Sequence, residues 1–413
     1  MRTVAVEQCG SCVDTDSSRV ATPKLKVLQV CSEPLSDLGG VALIVARLIE
    51  EMPPSFQVSL ASPDKRNETL PSPLRQRVAE HLLIPRQKWS VPEKQELVRR
   101  ISSGGYDLVH FHGGTLSFDA HLPWRSPLHA CWRLPTPWIY SNHCAPKLAT
   151  GLYPNDYSTL KKALKFVLAF ISLAWLATTC RRQIFDSDEN RDRMAKYFPW
   201  AGRKFTTIYH SGIEGEPPQP VVRGNVLTIG NLGHIGWRKG QVDLLEAFCI
   251  LAPKYPELKL LLAGGGTEDD CGRHIQREVH RRGLADRVLL SGPTRDLKPF
   301  WDVVDLYVQP SHYEGAPMAL MEALWHGKPA VGTRVSGIPE IIEDEITGLL
   351  VEAKNPAALA GALERLLQDF SLRQRLSAAG GRHIMVKKMT KFDMAAEHWR
   401  LYSEVLASQK KSA

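Results

Sequence analysis

Short apolar runs that alternate with helical stretches recur along the whole chain, and they constrain its fold more than any other feature. The first run is Lys26–Cys31, which leads through Leu38-Gly39-Gly40 into a helical pattern from Val41 to Met52. Later runs lie at 57–61, 81–84, 107–112, 137–141, 183–186, 205–209, 226–229, 259–263, 288–291, 306–309, 330–332 and 349–351. Strand alternating with helix predicts an α/β protein built from parallel, doubly wound sheets.

The length of the chain indicates more than one domain. At 413 residues it is long for a single core, and two domains of about 200 residues are the natural expectation. Residues 212–222 contain three prolines and two acids and read as a linker. We therefore predict a loose N-terminal leader at 1–23, α/β domains at 24–215 and 216–390, and a C-terminal helix at 391–413.

The net charge is unevenly distributed. The chain carries +8 overall, and residues 1–210 hold 27 Lys and Arg against 19 Asp and Glu, whereas residues 211–413 hold 25 of each. The excess favours an anionic partner for the N-terminal half, either a phospholipid surface or an acceptor that carries phosphate. No recognised nucleic-acid motif accompanies this charge, so we do not predict a nucleic-acid partner.

The eight cysteines are scattered through the chain, which predicts free thiols in a reducing compartment. Cys9 and Cys12 have the C-x-x-C spacing, but no second pair completes a zinc site. The first 23 residues lack an apolar signal core, so we expect no secretion signal.

The segment Lys161–Ala177 contains an apolar run that could be either a buried helix or a membrane-associated one. Its apolar run of 12 residues from Phe166 is well short of the ~20 that span a bilayer, so a buried helix is the simplest prediction. A role at a membrane surface stays open because five basic residues flank the run. These residues are Lys161, Lys162, Lys165, Arg181 and Arg182.

Glu314 and Glu322 form the most informative short motif. A strand pattern ends just before Glu314, and a helical pattern follows in which Pro317 suits the first position and which ends near Gly327. Glu314 then lies in a loop at the helix entrance, and Glu322 lies two turns in on the same side. A helix N-terminus favours anions, and carboxylates accept hydrogen bonds from hydroxyls. A nucleotide sugar is both anionic and polyhydroxylated. Two surface glutamates on an ordinary helix would be the bland alternative.

A glycine-rich loop at residues 230–240 follows a predicted strand and precedes a helix. Its glycines let the backbone fold tightly, and Arg238 and Lys239 put two cations there. Fixed cations stabilise the charge that builds on a departing diphosphate. The alternative is a solvated basic turn.

Most of the histidines are expected to be structural or at the surface. His110 and His112 alternate at the end of a strand and point the same way, but no third ligand for a metal is evident. His143 follows another strand, and we favour a role in the site over a satisfied core histidine.

Together these motifs resemble those of the retaining glycosyltransferases of family four, whose Glu-x7-Glu motif matches Glu314 and Glu322. Lys239-Gly240 matches the family's late Lys-Gly pair, whereas Asn231 stands where an early Arg is common, so Arg238 is a candidate for the missing charge. Other stretches in register are Asp107-x-x-His110-x-His112, 262–266 and 337–340. The resemblance implies the GT-B arrangement, in which two doubly wound domains face a cleft and the last helix crosses back to the first domain.

The resemblance also implies roles for individual residues. Glu314 would position hydroxyls of the donor sugar, and Glu322 would bind ribose hydroxyls. Lys239, helped by Arg238, would hold the diphosphate, and His143 would orient or polarise the sugar. The predicted catalytic residues are thus His143, Glu314 and Lys239. The predicted substrate-binding residues are Gly39, Gly40, Arg238, Lys239, Glu314, Gly315, Ala316, Pro317, Met318 and Glu322.

The implied activity is metal-independent, retaining transfer of a hexose from a nucleotide diphosphate sugar to an acceptor hydroxyl, without a cofactor. The acceptor would be a glycan or lipid-linked glycan in polysaccharide, lipopolysaccharide or glycolipid synthesis. The implied location is the cytoplasm, with room for weak peripheral binding at the anionic inner face of the membrane. Two alternatives stay open: a nucleotide-sugar epimerase on the same fold, and a non-catalytic binding subunit, to which Asn231 gives some weight.

Overall fold

A computed structural model describes residues 24–35, 40–64, 70–85, 90–113, 134–143, 159–226 and 228–410, without the side chains of 159–166 and 410. The predicted leader at 1–23, with Cys9 and Cys12, lies outside these residues, as does Gly39. The four described cysteines, Cys31, Cys180, Cys249 and Cys271, are free thiols, as predicted.

The N-terminal half forms a seven-stranded parallel sheet in the order β3-β2-β1-β4-β5-β6-β7. Its strands are β1 Leu25–Cys31, β2 Phe56–Ser62, β3 Val78–Leu83, β4 Leu108–His112, β5 Trp138–Asn142, β6 Arg182–Phe185 and β7 Phe205–Thr207. The described helices are α1 Gly40–Glu50, α2 Ser72–Arg77, α3 Val91–Ser103, α4 Thr159–Thr179 and α5 Asp188–Tyr197, followed by a 3₁₀ helix at Pro199–Lys204. The central strands are continuous runs of buried residues because helices cover both faces of the sheet.

The C-terminal half forms a six-stranded parallel sheet in the order β10-β9-β8-β11-β12-β13. Its strands are β8 Thr228–Leu232, β9 Lys259–Ala263, β10 Val288–Gly292, β11 Leu306–Gln309, β12 Ala330–Thr333 and β13 Leu349–Val351. Its helices are α6 Gln241–Leu251, α7 Asp270–Arg281, α8 Lys298–Val303, α9 Met318–Trp325, α10 Ile338–Ile341, α11 Pro356–Gln368, α12 Phe370–Val386 and α13 Lys391–Lys410. Two parallel, doubly wound sheets are therefore present, and the predicted fold class is confirmed.

Sequence signals explain where several helices begin. Ser90 and Glu93 form a capping box at the start of α3, and Ser187 caps α5 by accepting a hydrogen bond from the Asn190 N–H. Pro317 is the residue before α9 rather than its first residue, and the helix ends at Trp325, two residues before Gly327. A proline suits either position because it has no N–H that needs a partner.

Helix α13 returns to the N-terminal domain at the end of the chain. Met394, Leu401 and Tyr402 are buried in the same core as strands β1 and β2. The Lys391 ammonium lies 3.0 Å from the Glu51 carboxylate at the start of this helix. These contacts make α13 part of the N-terminal core, although the chain reaches it from the C-terminal domain.

The two domains also meet through one carboxylate. The oxygens of Glu340, in α10, accept hydrogen bonds of 2.8 Å from the backbone N–H groups of Asp188 and Glu189, and one of 2.7 Å from the Tyr209 hydroxyl. Helix α5 of the N-terminal domain thus receives part of its cap from a side chain of the C-terminal domain. The contact fixes how the domains sit across the cleft.

Helix α4 contains the apolar run considered above. Leu173 and Leu176 are buried, whereas Val167 and Ile171 on another face are about half exposed. The ring of Phe170 packs on Phe198, the residue before the 3₁₀ helix, and α4 also contacts that helix. Among the helices of the described ranges, none combines the length and the apolar character that crossing a bilayer requires.

Candidate active site

Glu314 lies in the loop between β11 and α9, and polar side chains surround its carboxylate. Ser311 donates a hydrogen bond of 3.2 Å to Oε1, and the Gln309 amide donates one of 3.4 Å to the same oxygen. The Glu314 N–H lies 3.5 Å from the Ser336 hydroxyl. The buried carboxylate therefore accepts hydrogen bonds from the end of β11 and from its own loop, and the Ser336 hydroxyl accepts from the Glu314 backbone.

The cations of the glycine-rich loop reach the same carboxylate. The Lys239 ammonium is hydrogen-bonded to Oε1 of Glu314, and an Arg238 guanidinium nitrogen lies 3.6 Å from Oε2. Burial by itself would raise the pKa of Glu314, but the charges of Lys239 and Arg238 outweigh that effect and the pKa is lowered. The site therefore holds an ionised carboxylate between two cations.

The loop that carries these cations depends on Gly240. Its φ is +70°, and a Cβ at this position would lie 2.0 Å from the Pro310 carbonyl oxygen. Only glycine avoids both the left-handed strain and the clash, so the loop can lie directly against the end of β11. This close approach brings Lys239 to Glu314.

Asn231 has a structural position. Its amide donates 2.8 Å to the Val308 carbonyl, and its oxygen accepts 3.1 Å from the Gln241 amide. The side chain is buried and ties β8 to β11 and α6. Both ends of its amide are used inside the domain, so Asn231 has a structural role. The cations described beside Glu314 are Arg238 and Lys239.

The entrance of α9 faces the N-terminal domain. No side chain caps its first turn, where Pro317 precedes Met318. A Cβ on Gly40, the first residue of α1, would lie 3.6 Å from Met318 Cε. A Cβ on Gly315 would lie only 1.7 Å from Asp186 Oδ2, so glycine is required where the domains touch. Gly315, Ala316, Pro317 and Met318 thus line the junction that Gly40 approaches from the other side.

Glu322 occupies a different environment from Glu314. It lines a cavity of about 820 Å³ together with Gly212, Trp301 and Trp325. Burial raises its pKa to about 7, and Arg47 of α1 opposes this weakly. Glu314 does not line this cavity, but the pKa of the buried Tyr307, raised first by burial, is raised further by both glutamates. The two carboxylates therefore lie in different surroundings, although both act on the Tyr307 hydroxyl.

His143 lies directly after β5, at the C-terminal edge of the sheet. The register that pairs Asn142 with Phe185 brings the next residues, His143 and Asp186, side by side. Asp186 in turn touches Gly315, and burial raises its pKa to about 7. The structure thus brings His143 and the Glu314 loop to the same junction, at the sheet edge where doubly wound folds bind ligands.

Several site residues were not predicted from the sequence. Gln309 and Ser311 alternate along the strand that leads to Glu314, and this alternation could have indicated them. Asp186 follows a strand but gave no signal of its contact with Gly315. Arg47 lies on the largely apolar helix α1, where it pairs with Glu50, and nothing local predicts that it influences Glu322. The part of the chain that the structure describes contains no group of three or more His, Cys, Asp or Glu that could hold a metal ion.

Two family models match this chain. The one described as Glycosyltransferase Family 4 matches residues 38–211, and the one described as Glycosyl transferases group 1 matches residues 223–369. The D-inositol 3-phosphate glycosyltransferase of Streptomyces avermitilis is 26% identical over 307 residues, which are 68% of this chain and 62% of that protein. The lipopolysaccharide core biosynthesis mannosyltransferase LpsB of Rhizobium meliloti is 29% identical over 155 residues, covering 37% and 43%. This chain spans between 42% and 66% of the lengths of four such relatives.

Solved structures agree in fold. Anabaena HepE in complex with UDP and glucose has a TM-score of 0.71 at 18% identity and covers 92% of this chain and 100% of its own. Sucrose-phosphate synthase from Thermosynechococcus elongatus has a TM-score of 0.72 at 18% identity, with coverages of 93% and 100%. The matched family segments lie on either side of the linker and include strands β2 to β7 of the first sheet and all six strands of the second. The chain therefore belongs to the group 1, family-four glycosyltransferases, and it has their GT-B fold.

Proposed function

We propose that this chain is a retaining glycosyltransferase that moves a hexose from a nucleotide diphosphate sugar to a hydroxyl of a glycan or lipid-linked glycan. The observation that carries the proposal is the contact of Lys239 and Arg238 with the buried Glu314 at the entrance of α9. Two cations beside a helix N-terminus suit a diphosphate, and a buried carboxylate suits sugar hydroxyls. The family and relatives such as LpsB favour polysaccharide, lipopolysaccharide or glycolipid synthesis.

The diphosphate would bind to Lys239 and Arg238. Because Lys239 is paired with Glu314, a diphosphate would compete for the ammonium group and leave the carboxylate to accept hydrogen bonds from the sugar. Negative charge grows on the leaving diphosphate as the sugar departs, so fixed cations stabilise the transition state more than the ground state. Gly39, Gly40 and the entrance of α9 would add backbone N–H groups on the other side of the phosphates.

The nucleoside would lie toward Glu322. Its carboxylate lines a cavity with aromatic walls at Trp301 and Trp325, and an ionised carboxylate can accept hydrogen bonds from both ribose hydroxyls. His143, at the end of β5, would orient or polarise the sugar from the N-terminal side. No pair of carboxylates of the glycosidase type is assigned, so we propose reaction on one face of the sugar without a covalent intermediate.

Metal independence is part of the proposal. In the described residues the charges placed to hold a diphosphate are Lys239, Arg238 and the N-terminus of α9, and these can compensate phosphate charge without a cation. We therefore expect turnover to survive a chelator, and we assign no cofactor.

We also propose weak, reversible attachment of the N-terminal domain to anionic membranes from the cytoplasmic side. Val167, Ile171 and Trp200 are between 51% and 61% exposed, and they lie on α4 and on the 3₁₀ helix that α4 contacts. Arg181 and Arg203 are exposed on the same two segments or next to them. Apolar side chains beside cations favour the surface of an anionic bilayer, where a lipid-linked acceptor would be found.

The function is tested by measuring free nucleoside diphosphate released by the purified protein from several nucleotide sugars, with UDP-glucose first because HepE has been seen with UDP and glucose. Each reaction is run with and without an extract of lipid-linked glycans, and with and without EDTA. We expect release that needs the extract, survives EDTA, and puts radiolabelled sugar into the acceptor. Glu314→Gln should abolish it, whereas Glu352→Gln, at an exposed side chain, is the matched control.

Other outcomes would contradict the proposal. A changed nucleotide sugar with no acceptor requirement would identify an epimerase. Nucleotide binding by calorimetry without turnover on any extract would favour a non-catalytic subunit. Loss of turnover in EDTA that Mg²⁺ or Mn²⁺ restores would refute metal independence.

A further inference from the structure

Five histidines pack against one another beside the candidate site, and the proposed reaction uses only one of them. They are His110, His112, His143, His210 and His398, and the ring centroids of contacting pairs lie 3.9 to 6.5 Å apart. Within the described ranges they do not form a group that could hold a metal. Their hydrogen bonds suggest another role.

A chain of hydrogen bonds runs from His143 into the core. His143 Nε2 lies 3.0 Å from His112 Nδ1, and His112 Nε2 lies 2.7 Å from the Gln29 amide oxygen. The Gln29 amide nitrogen donates 3.0 Å to the hydroxyl of Tyr402. Two residues, His112 of β4 and Gln29 of β1, thus link His143 to Tyr402 of helix α13.

The series of hydrogen bonds continues beyond Tyr402. The Tyr402 hydroxyl lies 2.5 Å from His110 Nδ1, and His110 Nε2 lies 2.7 Å from the Ser141 hydroxyl. All of these side chains except His143 itself are buried. The network therefore connects β1, β4 and β5 with the helix that returns from the C-terminal domain.

The Gln29 amide determines which ring nitrogen donates in each hydrogen bond between Gln29 and His143. Burial holds the pKa of His112 and of His143 well below the ordinary value, so each neutral ring has one N–H and one bare nitrogen. An amide oxygen can only accept, so His112 Nε2 carries its proton and His112 Nδ1 is the acceptor. His143 must then carry its proton on Nε2 and a free lone pair on Nδ1.

The remaining nitrogen of His143 is the second observation. His143 Nδ1 is buried and has no hydrogen-bond partner among the described residues. A buried polar atom without a partner costs free energy, so such an atom next to a site indicates a bond that a ligand completes.

We infer that the chain from Tyr402 through Gln29 and His112 fixes His143 as the tautomer with a bare Nδ1, which accepts a hydrogen bond from a substrate hydroxyl. Gln29, His112 and Tyr402 are then positioning residues for His143. The inference rests on the proposed function for the identity of the hydroxyl, but the tautomer itself does not depend on it. The C-terminal helix would thus help to set the chemistry of the site.

The tautomer is tested directly by nitrogen NMR of protein labelled with ¹⁵N-histidine, because protonated and bare ring nitrogens have well-separated shifts. The His143 signals are assigned by their loss in His143→Gln. In the wild type we expect a bare Nδ1 and a protonated Nε2. In Gln29→Met and in Tyr402→Phe, which keep the volume of the core, the two His143 tautomers should mix and the signals should move toward each other.

Kinetics test the consequence for the reaction. Gln29→Met and Tyr402→Phe should lower kcat/KM by about three- to tenfold, as expected for one neutral hydrogen bond lost in part of the population. Trp399→Phe is the matched control: it lies on the same helix, packs on Tyr402, and takes no part in the chain. It should leave kcat/KM and the histidine signals unchanged, with thermal unfolding measured for all three variants.

The outcomes separate this inference from the proposed function. A protonated His143 Nδ1 in the wild type overturns the inference, whatever the activity. Wild-type signals and kcat/KM in both Gln29→Met and Tyr402→Phe overturn it as well. A wild type with the expected tautomer but no glycosyl transfer would instead reject the proposed function.

Discussion

Glu314 and Glu322 are two glutamates of one motif that differ in charge at neutral pH. Both are removed from water, but Lys239 and Arg238 overcome the effect of burial at Glu314 and lower its pKa. At Glu322 burial dominates, and the pKa rises to about 7. Glu314 is therefore ionised over the physiological range, whereas Glu322 changes its charge within that range.

This difference predicts a pH dependence of nucleotide binding. In the proposed site ribose hydroxyls donate to the ionised form of Glu322, so affinity for a nucleoside diphosphate should rise as pH increases through about 7. Glu322→Gln should weaken binding by about ten- to a hundredfold at pH 8 and remove this contribution, leaving only the titration of the phosphate. Calorimetry at several pH values measures both effects, and equal affinities of wild type and variant at pH 8 would remove Glu322 from the site.

Lys239 and Arg238 are both expected to be needed for turnover. Lys239→Ala should lower kcat by about a hundredfold or more, because the leaving group loses a fixed positive charge. Arg238→Ala should also lower kcat at least tenfold, because the Asn231 amide is used inside the domain and supplies no charge. Arg277→Ala, at an exposed position of α7, is the control. Near-normal turnover in both loop variants would show that this loop does not hold the diphosphate.

Helix α5 is capped by Ser187 of its own domain and, in addition, by Glu340 of the C-terminal domain. Glu340 accepts two of its first N–H groups and the Tyr209 hydroxyl. Glu340→Gln keeps only one accepting oxygen, so at least one of the three hydrogen bonds is lost, and it removes the charge that favours the helix dipole. We expect a loss of about 1–3 kcal/mol in the free energy of unfolding.

Urea unfolding measures this loss, and small-angle scattering reports whether the domains separate. Glu352→Gln, at a side chain that is 74% exposed, is the matched substitution and should change neither quantity. Unchanged stability and scattering in Glu340→Gln would mean that this cap does not help to hold the two domains together.

The histidine cluster affects the stability of the whole molecule. Burial lowers the pKa of His110, His112, His143 and His210 well below the ordinary value, and that of His398 to about 4. The folded protein keeps these rings neutral, whereas the unfolded chain takes up protons below about pH 6.5, so their contribution is present above that pH and is lost as pH falls. Asp186 and Glu322, with pKa values raised to about 7, oppose this trend, because their contribution is lost as pH rises.

Five groups outweigh two, so the free energy of unfolding should fall between about pH 7 and pH 5.5. His398→Gln should reduce this slope by at most about 1.4 kcal/mol per pH unit. His398 is a suitable site because the charged group that faces it is Glu397 and its Nε2 has no partner among the described residues. A stability that is flat or rises on acidification would contradict the prediction.

Membrane binding is also a property of the whole molecule, because it depends on where the excess charge lies. Protein should sediment with vesicles of phosphatidylglycerol and phosphatidylcholine, but not of phosphatidylcholine alone, and the bound fraction should fall steeply with added salt. The double substitution Ile171→Ser with Trp200→Ser should reduce it, whereas Val221→Ser, at an exposed linker position, should not.

The basic residues provide an independent test. Neutralising Lys161, Lys162, Lys165, Arg181 and Arg182 together should reduce the bound fraction on anionic vesicles at low salt. Equal and negligible sedimentation with both kinds of vesicle would leave only a basic cleft that attracts an anionic substrate.

The order and type of the elements could be predicted from the amino-acid sequence, because they depend on local periodicity. A continuous apolar run such as 306–309 followed by a helical pattern predicts a buried parallel strand and its crossover, whatever lies elsewhere in the chain. The resemblance likewise needed only short stretches, such as Glu314 with Glu322 and Lys239 with Gly240. Boundaries moved by a residue or two, as at Pro317, where either position satisfies the backbone.

Which distant residues meet, and what charge they carry, depends instead on the packing of the folded chain. Asp186 contacts Gly315, and Glu340 caps α5, across more than 100 positions of the sequence. The hydrogen bonds from Tyr402 to His143 likewise link the last helix to separate strands of the first sheet. The pKa values of Glu314 and Glu322 differ for the same reason. Hydrogen bonds and charges act through space over a few ångströms, whereas a sequence pattern reports only on neighbours along the chain.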